Sequence, residues 1–375
     1  MQCSRGWVPS VFLTTLSLLA LGVEAARAEE PPAAAASPAA DAFTTKITVH
    51  GYLSQAYART DGNEINGIPG SGTADYRAAA VQMRAEISPQ DTFAVQLSHA
   101  RLGKTGLQAF EKDVALDWMF YQHRFSDGTT AKVGKVQIPF GIYNEVRDVG
   151  TLLPFFRPSV NFYGEGSFTS ETVDGAVLSH TFSLGGDWLL DGDVHYGNWS
   201  FVSRIGNTFR QDEVRGSRGV ELWLQTPVPG LRIGAGGIRY DVLEGGDPAH
   251  SVPWKTYHVS LEGELGRLTA HAEYKYIDFD SGDYNGGYVH VGLAVTKAVV
   301  INAQYDYAKL NIDFFRRGDF DNDRALGVNY LFRPDLVLKV EHHWNKGFTA
   351  EVPAQNFFAP EPKTRYWIAS LSTSF

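Results

Sequence analysis

Charged side chains of both signs are concentrated in one long connection, residues 139–171. Glu145 and Asp148 supply carboxylates there, and Arg147 and Arg157 supply guanidinium groups. If these groups faced one another across a narrow, water-filled passage, they would set a transverse electric field that favours small polar solutes over apolar ones. The alternative is that the charges pair with a surrounding wall and hold the connection in place, since buried charges normally need partners.

The composition of this connection predicts that it is ordered. At roughly 30 residues it exceeds the usual length of an unstructured connection, so it is expected to be either functional or disordered. Aromatic side chains favour burial and are scarce in disordered segments. The connection contains six of them: Phe140, Tyr143, Phe155, Phe156, Phe162 and Tyr163. We therefore expect it to fold against a larger structure, which the rest of the chain must supply.

The beginning of the chain has the pattern of an export signal. Residues 1–28 contain a basic residue, an apolar stretch at 11–23 and the small-residue cleavage pattern Ala26-Arg27-Ala28. Residues 29–43 are rich in Pro and Ala and predict a tether, which leaves 44–375 as a single domain. The chain has 1 Cys, inside the signal, so the mature protein needs no disulfide framework. A net charge of −9 argues against nucleic-acid binding.

The domain is predicted to be all-β, because segments of about 10 to 14 residues show period-2 alternation. In 267–279, for example, Leu, Ala and Tyr residues alternate with Thr, His, Glu and Lys. The predicted strands are 45–59, 75–88, 91–102, 112–125, 129–138, 172–184, 186–196, 217–226, 231–243, 255–265, 267–279, 286–296, 298–309, 323–333, 336–347 and 364–375. No mature segment has the roughly 20 consecutive apolar residues of a transmembrane helix.

The connections between strands distinguish a barrel from a soluble sandwich, which would show the same alternation. Short connections with turn residues alternate with long ones throughout the chain, an asymmetry typical of outer-membrane barrels. The long connections are predicted at 60–74, 103–111, 139–171, 197–216, 244–254, 280–285, 310–322 and 348–363. We therefore predict a transmembrane antiparallel β-barrel of about 16 strands with a long third loop folded inward. A barrel of this size leaves an aqueous channel that its own wall does not fill.

Two further patterns fit a barrel in the outer membrane. The last strand places Trp367, Ala369, Leu371 and Thr373 on one face and ends in Phe375, similar to the terminal signal of outer-membrane barrels. Aromatic residues near strand ends are expected to form the two interfacial girdles against lipid. The candidates for these girdles are Trp118, Phe120, Tyr274, Tyr276, Tyr305, Tyr307, Tyr330, Phe332 and Trp344.

The long third loop resembles that of the general-diffusion porins. The run Gly134-Lys135-Val136-Gln137-Ile138-Pro139-Phe140-Gly141, followed by Asn144-Glu145-Val146-Arg147-Asp148, resembles the porins grouped with the phosphate-selective O and P porins. The resemblance implies a homotrimer, and it places Lys135, Asn144, Glu145, Arg147, Asp148 and Arg157 at or near a pore constriction. Phosphate-selective members present a ladder of arginines and a lysine cluster. Loop 139–171 has two arginines and no lysine, which favours a general pore over a phosphate-specific one.

The alternation also predicts which side chains line the lumen. They are Arg84, Asp117, His123, Asp193, Glu262, Glu273, Lys275 and Glu341. Acids outnumber bases on the predicted inner face, so we expect a mild cation preference unless the loop arginines dominate. The partners expected are outer-membrane lipid and small hydrophilic solutes or ions.

No cofactor, metal or catalytic site is predicted. Residues 319–323 carry alternate acids like a calcium loop but lack its Gly and its distal Glu. Ser and His residues are plentiful, yet no local pattern places a nucleophile beside a base. A substrate- or anion-selective channel, an outer-membrane enzyme and an adhesin remain as alternatives.

Overall fold

The computed structural model describes residues 44–105, 113–164, 170–205, 208–248, 250–312, 315–349 and 362–375. The predicted signal, residues 1–28, lies outside the described residues, as does the tether, residues 29–43.

Sixteen antiparallel strands form one closed barrel, in which every strand pairs with its neighbours in sequence and β1 pairs with β16. The strands are β1 (Lys46–Thr60), β2 (Thr73–Glu86), β3 (Asp91–Leu102), β4 (Ala115–Ser126), β5 (Thr129–Gln137), β6 (Thr172–Gly185), β7 (Trp188–Ile205), β8 (Thr208–Gln225), β9 (Arg232–Leu243), β10 (Ser251–Leu265), β11 (Leu268–Phe279), β12 (Gly282–Ala294), β13 (Val299–Ile312), β14 (Phe315–Arg333), β15 (Leu336–Gly347) and β16 (Lys363–Ser374). The closing register runs from Tyr52 opposite Ser374 to Thr60 opposite Tyr366. The predicted fold class and strand number are confirmed.

The two faces of the barrel wall differ in polarity, as the alternation predicts. On β11, Tyr274 is 38% exposed on the outside, whereas the neighbouring Glu273 and Lys275 are buried on the inside. The same pattern repeats around the barrel, with Val, Leu, Ile and aromatic side chains exposed on the outer face. An apolar outer face and a polar inner face are the pattern of a barrel that spans a lipid bilayer.

The prediction of eight long connections at one end of the barrel is wrong in three places. β7 continues to Ile205 and β8 begins at Thr208, so strand replaces most of the connection predicted at 197–216. Strand likewise covers most of 280–285 and 310–322. The reason is that inward-facing apolar residues continue into these extensions: Trp199, Phe201, Val214, Tyr284 and Phe320 are buried. Burial of these side chains favours continued strand pairing.

A β-bulge in β4 changes the orientation of two aromatic residues. The pairing of β3 with β4 shifts at Gln96 and Leu97, which lie opposite Trp118 and Leu116. Asp117 is therefore the extra residue, and Trp118 lies on the inner face, where it is 4% exposed. Phe120 follows on the same inner face, stacked on Trp118. The assignment of these two aromatic residues to the lipid girdle is therefore wrong.

The third connection at the loop end, which we call L3 (residues 138–171), is described apart from residues 165–169. It contains a short helix, α1 (Val160–Tyr163). Four of its aromatic residues pack in one cluster with side chains of the barrel wall: Phe140, Tyr143, Phe162 and Tyr163 lie with Trp199, Tyr240 and Tyr288. Phe156 packs in a second cluster with Tyr76 and Tyr366. No helix within the described residues is long and apolar enough to cross a membrane.

Candidate functional site: the loop in the lumen

The two ends of L3 are tied together where the loop leaves the wall. The Ile138 backbone N–H donates to the Glu171 carbonyl at 2.8 Å. The Asn144 side chain, 2% exposed, donates to the carbonyls of Ile138 and Glu171 at 2.8 and 3.1 Å. Asn144 therefore closes the base of the loop, and its side chain is not part of a solute-lining surface.

L3 is bound to the inner face of β11 by a buried lysine and a buried glutamate. Lys275 Nζ donates to the Phe162 carbonyl at 2.8 Å. Glu273 accepts hydrogen bonds from the Ile142 backbone N–H at 2.9 Å and from the Tyr163 hydroxyl. Both charged residues therefore lie on the inner face, as predicted for the lumen, and there they contact the loop. These contacts support the alternative reading in which buried charges hold the loop in place.

A second lysine and glutamate repeat this arrangement on β15. Lys339 Nζ donates to the carbonyls of Leu153 and Phe155 at 2.6 and 2.7 Å. Glu341 accepts a hydrogen bond from the Phe156 backbone N–H. An irregular segment with few internal partners needs such donors and acceptors when it is buried. The wall of the barrel therefore supplies the hydrogen bonds that L3 does not make within itself.

Between these two anchors L3 passes directly over β1 and β16. A Cβ atom on Gly150 would collide with the hydroxyl oxygens of Ser54 and Ser372, so only a glycine allows this approach. The next residue, Thr151, donates its hydroxyl hydrogen to Ser374 Oγ at 3.2 Å. L3 therefore contacts strands on opposite sides of the lumen and narrows the lumen at this level.

The charged residues of L3 lie beside a cavity of about 290 Å³ between the loop and the wall of β1–β5. Glu145, Arg147, Asp148 and Glu171 line it together with neutral side chains such as Gln82 and Gln96. The Glu145 side chain is 55% exposed, and its carboxylate lies 3.7 Å from Lys132 Nζ. The structure thus brings Glu145, Arg147 and Asp148 together at one opening.

Acidic groups outnumber the arginine at this opening. Oxygen atoms of Asp117, Asp148 and Glu171 lie within 4.8 Å of one another. Arg147 lies 3.4 Å from Glu171, and Gln96 donates to Asp117 at 2.6 Å. None of the oxygen atoms of these three carboxylates is both buried and without a hydrogen-bond partner among the described residues, so the cluster shows no vacant ligand position, and its effect is on the electric field of the lumen. The sequence prediction omitted Glu171, although its position as the last loop residue before β6 is visible in the sequence.

The electrostatic environment of Asp148 follows from this crowding. Burial raises the pKa of Asp148 above its ordinary value, Arg147 lowers it, the Asp117 carboxylate raises it, and Arg157 lowers it. Burial has the largest effect, so the net direction is upward. Asp148 therefore loses its charge at a higher pH than an ordinary aspartate does.

Arg157 lies apart from the opening that contains Arg147. It lines a second, smaller cavity with Asp306, Asp321, Asp323 and Glu341, on the side of β13–β15. The two loop arginines predicted to act together therefore line separate cavities.

The sequence predicts Lys135 near the pore constriction and His123 in the lumen, but both lie on the outer face of the barrel, so these two predictions are wrong. Lys135 pairs in register with Met119 and Asp174, which are both exposed, and its ammonium group donates to the Leu116 carbonyl. Lys135 lies on the outer face because the two-residue alternation of β5 places Val136, which is fully buried, on the inner face. A single-residue shift in the predicted alternation reverses the side on which a residue lies.

His123 lies on the outer face of β4, which it shares with Met119 and Tyr121. Both His123 Nδ1 and the Tyr121 hydroxyl contact Asp91 Oδ1, His123 at 2.7 Å. The bulge at Asp117 explains the error, because it changes the relation between sequence position and face along this strand. The other predicted lumen residues do lie on the inner face: Arg84, Asp117, Asp193, Glu262, Glu273, Lys275 and Glu341.

Three solved structures of similar shape are distant from this chain in sequence. No protein-family model matches this sequence, and a comparison with characterised proteins finds no match. The outer-membrane channel DcaP of Acinetobacter baumannii is 9% identical with a TM-score of 0.60, covering 88% of this chain and 97% of DcaP. An anion-selective porin from Comamonas acidovorans is 10% identical with a TM-score of 0.58, covering 88% and 100%.

A third similar structure is OmpT, an outer-membrane protein of Vibrio cholerae described in a trimer form. It is 12% identical with a TM-score of 0.56, over 89% of this chain and 100% of OmpT. All three align over nearly their full length with the closed 16-strand barrel described above. The chain has the porin fold. At these identities the likeness concerns the fold alone, so the function must be argued from the porin-fold barrel and its own residues.

Proposed function

We propose that this protein is an outer-membrane porin that lets small hydrophilic solutes or ions diffuse passively through a water-filled channel narrowed by L3. The observation that carries the proposal is the attachment of L3 across the lumen of a barrel with an apolar outer face. Lys275 and Lys339 donate to backbone carbonyls of L3 from two different strands. In this proposal a loop held in this way restricts the size of the passage without closing it, and the cavity of about 290 Å³ beside Arg147 is part of the path that solutes take.

We further propose a weak preference for cations. Glu145, Asp148 and Glu171 face Arg147 at the opening, and the Arg147 guanidinium group lies next to Glu171. Negative charge in a narrow aqueous passage raises the local concentration of cations. No catalysis or cofactor enters this proposal. Residues 1–28 are proposed to direct export and to be removed, and the mature barrel is proposed to assemble as a homotrimer, the form described for OmpT of Vibrio cholerae.

Anion selectivity is the second candidate, because the Comamonas acidovorans porin of similar fold is described as anion-selective. In the present chain it would depend on Arg147 and Arg157, which line separate cavities that both contain carboxylates. This arrangement favours the cation preference over the anion preference.

Liposome swelling with uncharged sugars of graded size tests the proposed diffusion. Liposomes that contain the folded protein should swell quickly in small sugars and progressively more slowly as the sugar grows, because L3 sets a size limit. Protein-free liposomes and liposomes with heat-denatured protein serve as controls. If swelling in the smallest sugar equals that of the controls, the proposed diffusion function is wrong.

A further inference from the structure

A second cavity, enclosed between L3 and strands β13–β15, has a volume of about 40 Å³. Its lining contains four carboxylates, all on residues at most 7% exposed: Asp306, Asp321, Asp323 and Glu341. This volume is sufficient for a monatomic ion with about one or two water molecules. The cavity is separate from the proposed diffusion path beside Arg147.

The carboxylates carry more negative charge than the cavity lining balances. Among its described lining residues, Arg157 and His343 are the groups that can carry positive charge. His343 Nδ1 lies 2.6 Å from Asp323, and its Nε2 lies 3.3 Å from Glu341. With His343 protonated and all four carboxylates ionised, the lining keeps a formal charge of about −2. Buried charge without compensation is unfavourable. It is relieved either by protonation of a carboxylate or by a bound divalent cation, which would balance the formal charge.

Unsatisfied oxygen atoms provide a second, independent observation. Six lining residues, each at most 7% exposed, have a side-chain oxygen without a hydrogen-bond partner within the described part of the chain. These atoms are Asn66 Oδ1, Ser159 Oγ, Asp306 Oδ1, Asp323 Oδ1, Asn345 Oδ1 and Thr349 Oγ1. Buried polar atoms are normally hydrogen-bonded, so a group of unsatisfied oxygens around one cavity calls for a ligand.

Hydrogen bonds within the cavity wall leave these oxygens available. Asn345 Nδ2 donates to Asp321 Oδ1 at 2.6 Å, and Asn161 Nδ2 donates to Asp321 Oδ2 at 2.8 Å. Because its NH₂ group is directed at Asp321, Asn345 leaves its own carbonyl oxygen without a donor. Gln304 similarly donates to Asp306 Oδ2 at 2.7 Å, and the Ser159 hydroxyl of L3 also interacts with this carboxylate.

We propose that this cavity binds a hard divalent cation of the calcium type. Such ions take about six to eight oxygen ligands from carboxylates, amide carbonyls and water, which is the chemistry of this lining. Residues 319–323 lack the pattern of a sequential calcium loop, and the site is instead assembled from strands distant in sequence. Because Ser159 and Asn161 of L3 also line the cavity, the bound cation would join L3 to three strands of the wall.

Terbium luminescence tests the proposal directly, since Tb³⁺ replaces Ca²⁺ at oxygen sites and is sensitised by nearby tyrosines. Tyr76 and Tyr366 line the cavity. The purified, folded full-length chain is first treated with a chelator and then titrated with Tb³⁺. We expect saturable luminescence that Ca²⁺ displaces. The Asp306→Asn/Asp323→Asn double variant should bind Tb³⁺ at least tenfold more weakly.

The matched control is Asp127→Asn/Asp187→Asn, which removes the same charge from two exposed turns. It should bind Tb³⁺ like the wild type. Equal weakening in the control and the cavity variant would overturn the proposal, because it would show adsorption to acidic groups in general. If the wild type shows no luminescence that Ca²⁺ displaces at concentrations up to about 10 mM, the proposal is also overturned. The cavity then holds water instead of a cation.

Thermal unfolding of the wild type keeps the proposal testable if the double variant does not fold. A ligand that binds only the folded state raises the unfolding temperature. We expect Ca²⁺ to raise that temperature relative to NaCl of the same ionic strength. An equal unfolding temperature in the two salts would contradict cation binding. Neither outcome depends on whether solutes pass through the channel. The cation-site proposal can therefore be wrong while the diffusion proposal is right, and the reverse also holds.

Discussion

Replacement of Lys339 by Met should release the central part of L3 from the barrel wall. Lys339 is 1% exposed, and its ammonium group donates to the carbonyls of Leu153 and Phe155. Methionine has a similar length and volume, so it fills the site without the two hydrogen bonds. The substitution leaves both loop carbonyls without the donor that held them.

The size of the effect follows from these two bonds. Each hydrogen bond from a charged donor contributes about 1.5–3 kcal/mol, and relief from burying the ammonium group offsets part of the total. We therefore expect the docked state of this segment to lose about 2–4 kcal/mol relative to the undocked state. This loss increases the undocked population of the segment by a factor of roughly 30 to 1,000.

Single-channel recording in planar bilayers measures the consequence. Lys339→Met should show larger current fluctuations and a higher mean conductance than the wild type, because L3 leaves the passage more often. Lys297→Met is the matched control, since Lys297 lies in the exposed turn between β12 and β13. If the two variants have the same conductance and the same fluctuations, and both are folded, Lys339 does not hold a constriction and the reasoning is refuted.

Three further predictions concern the opening and the base of L3. Arg147→Gln should increase cation over anion permeability, because the acidic cluster loses the guanidinium group 3.4 Å from Glu171. The reversal potential measures this change. The same substitution at exposed Arg267 should have no effect, and an equal shift in both variants would contradict the prediction. Cation preference should fall as the pH decreases toward the raised pKa of Asp148, because a carboxylate loses its charge below its pKa. Asp148→Asn should remove this pH dependence. A pH dependence that persists in the variant would show that Asp148 is not its cause. Asn144→Ala removes two hydrogen bonds and leaves the Ile138 carbonyl without its Asn144 donor, while the Glu171 carbonyl keeps the bond from the Ile138 N–H. The free energy of unfolding should fall by about 1–3 kcal/mol, measured by urea titration in detergent, and an unchanged midpoint would argue against a role at the loop base.

The barrel could be predicted from the sequence because alternation and turn residues are local signals. On β11 they correctly separate Glu273 and Lys275 from Tyr274, and the strand number follows from their repetition. The sequence assigns side chains to the wrong side of the barrel wall where a β-bulge shifts the alternation between inner and outer faces. The bulge at Asp117 moved Trp118 and His123 to the sides opposite to those predicted.

The path of L3 could be predicted only in outline. Its aromatic content indicated burial, but the partners of its backbone lie more than 100 residues away, as Lys275 and Lys339 do. Period-2 alternation places such lysines on the inner face without showing which carbonyl they contact. The acid-lined cavity depends in the same way on Asp306, Asp323 and Asn345, which three different strands contribute.

Planar-bilayer conductance of the purified protein, with the reversal potential measured in a salt gradient, tests the central claim most directly. We expect stepwise channels of uniform size with a weak cation preference, set by the carboxylates that surround Arg147. Strong anion preference would contradict the assigned role of these carboxylates. Absence of any conductance from folded protein in the bilayer would contradict the pore itself.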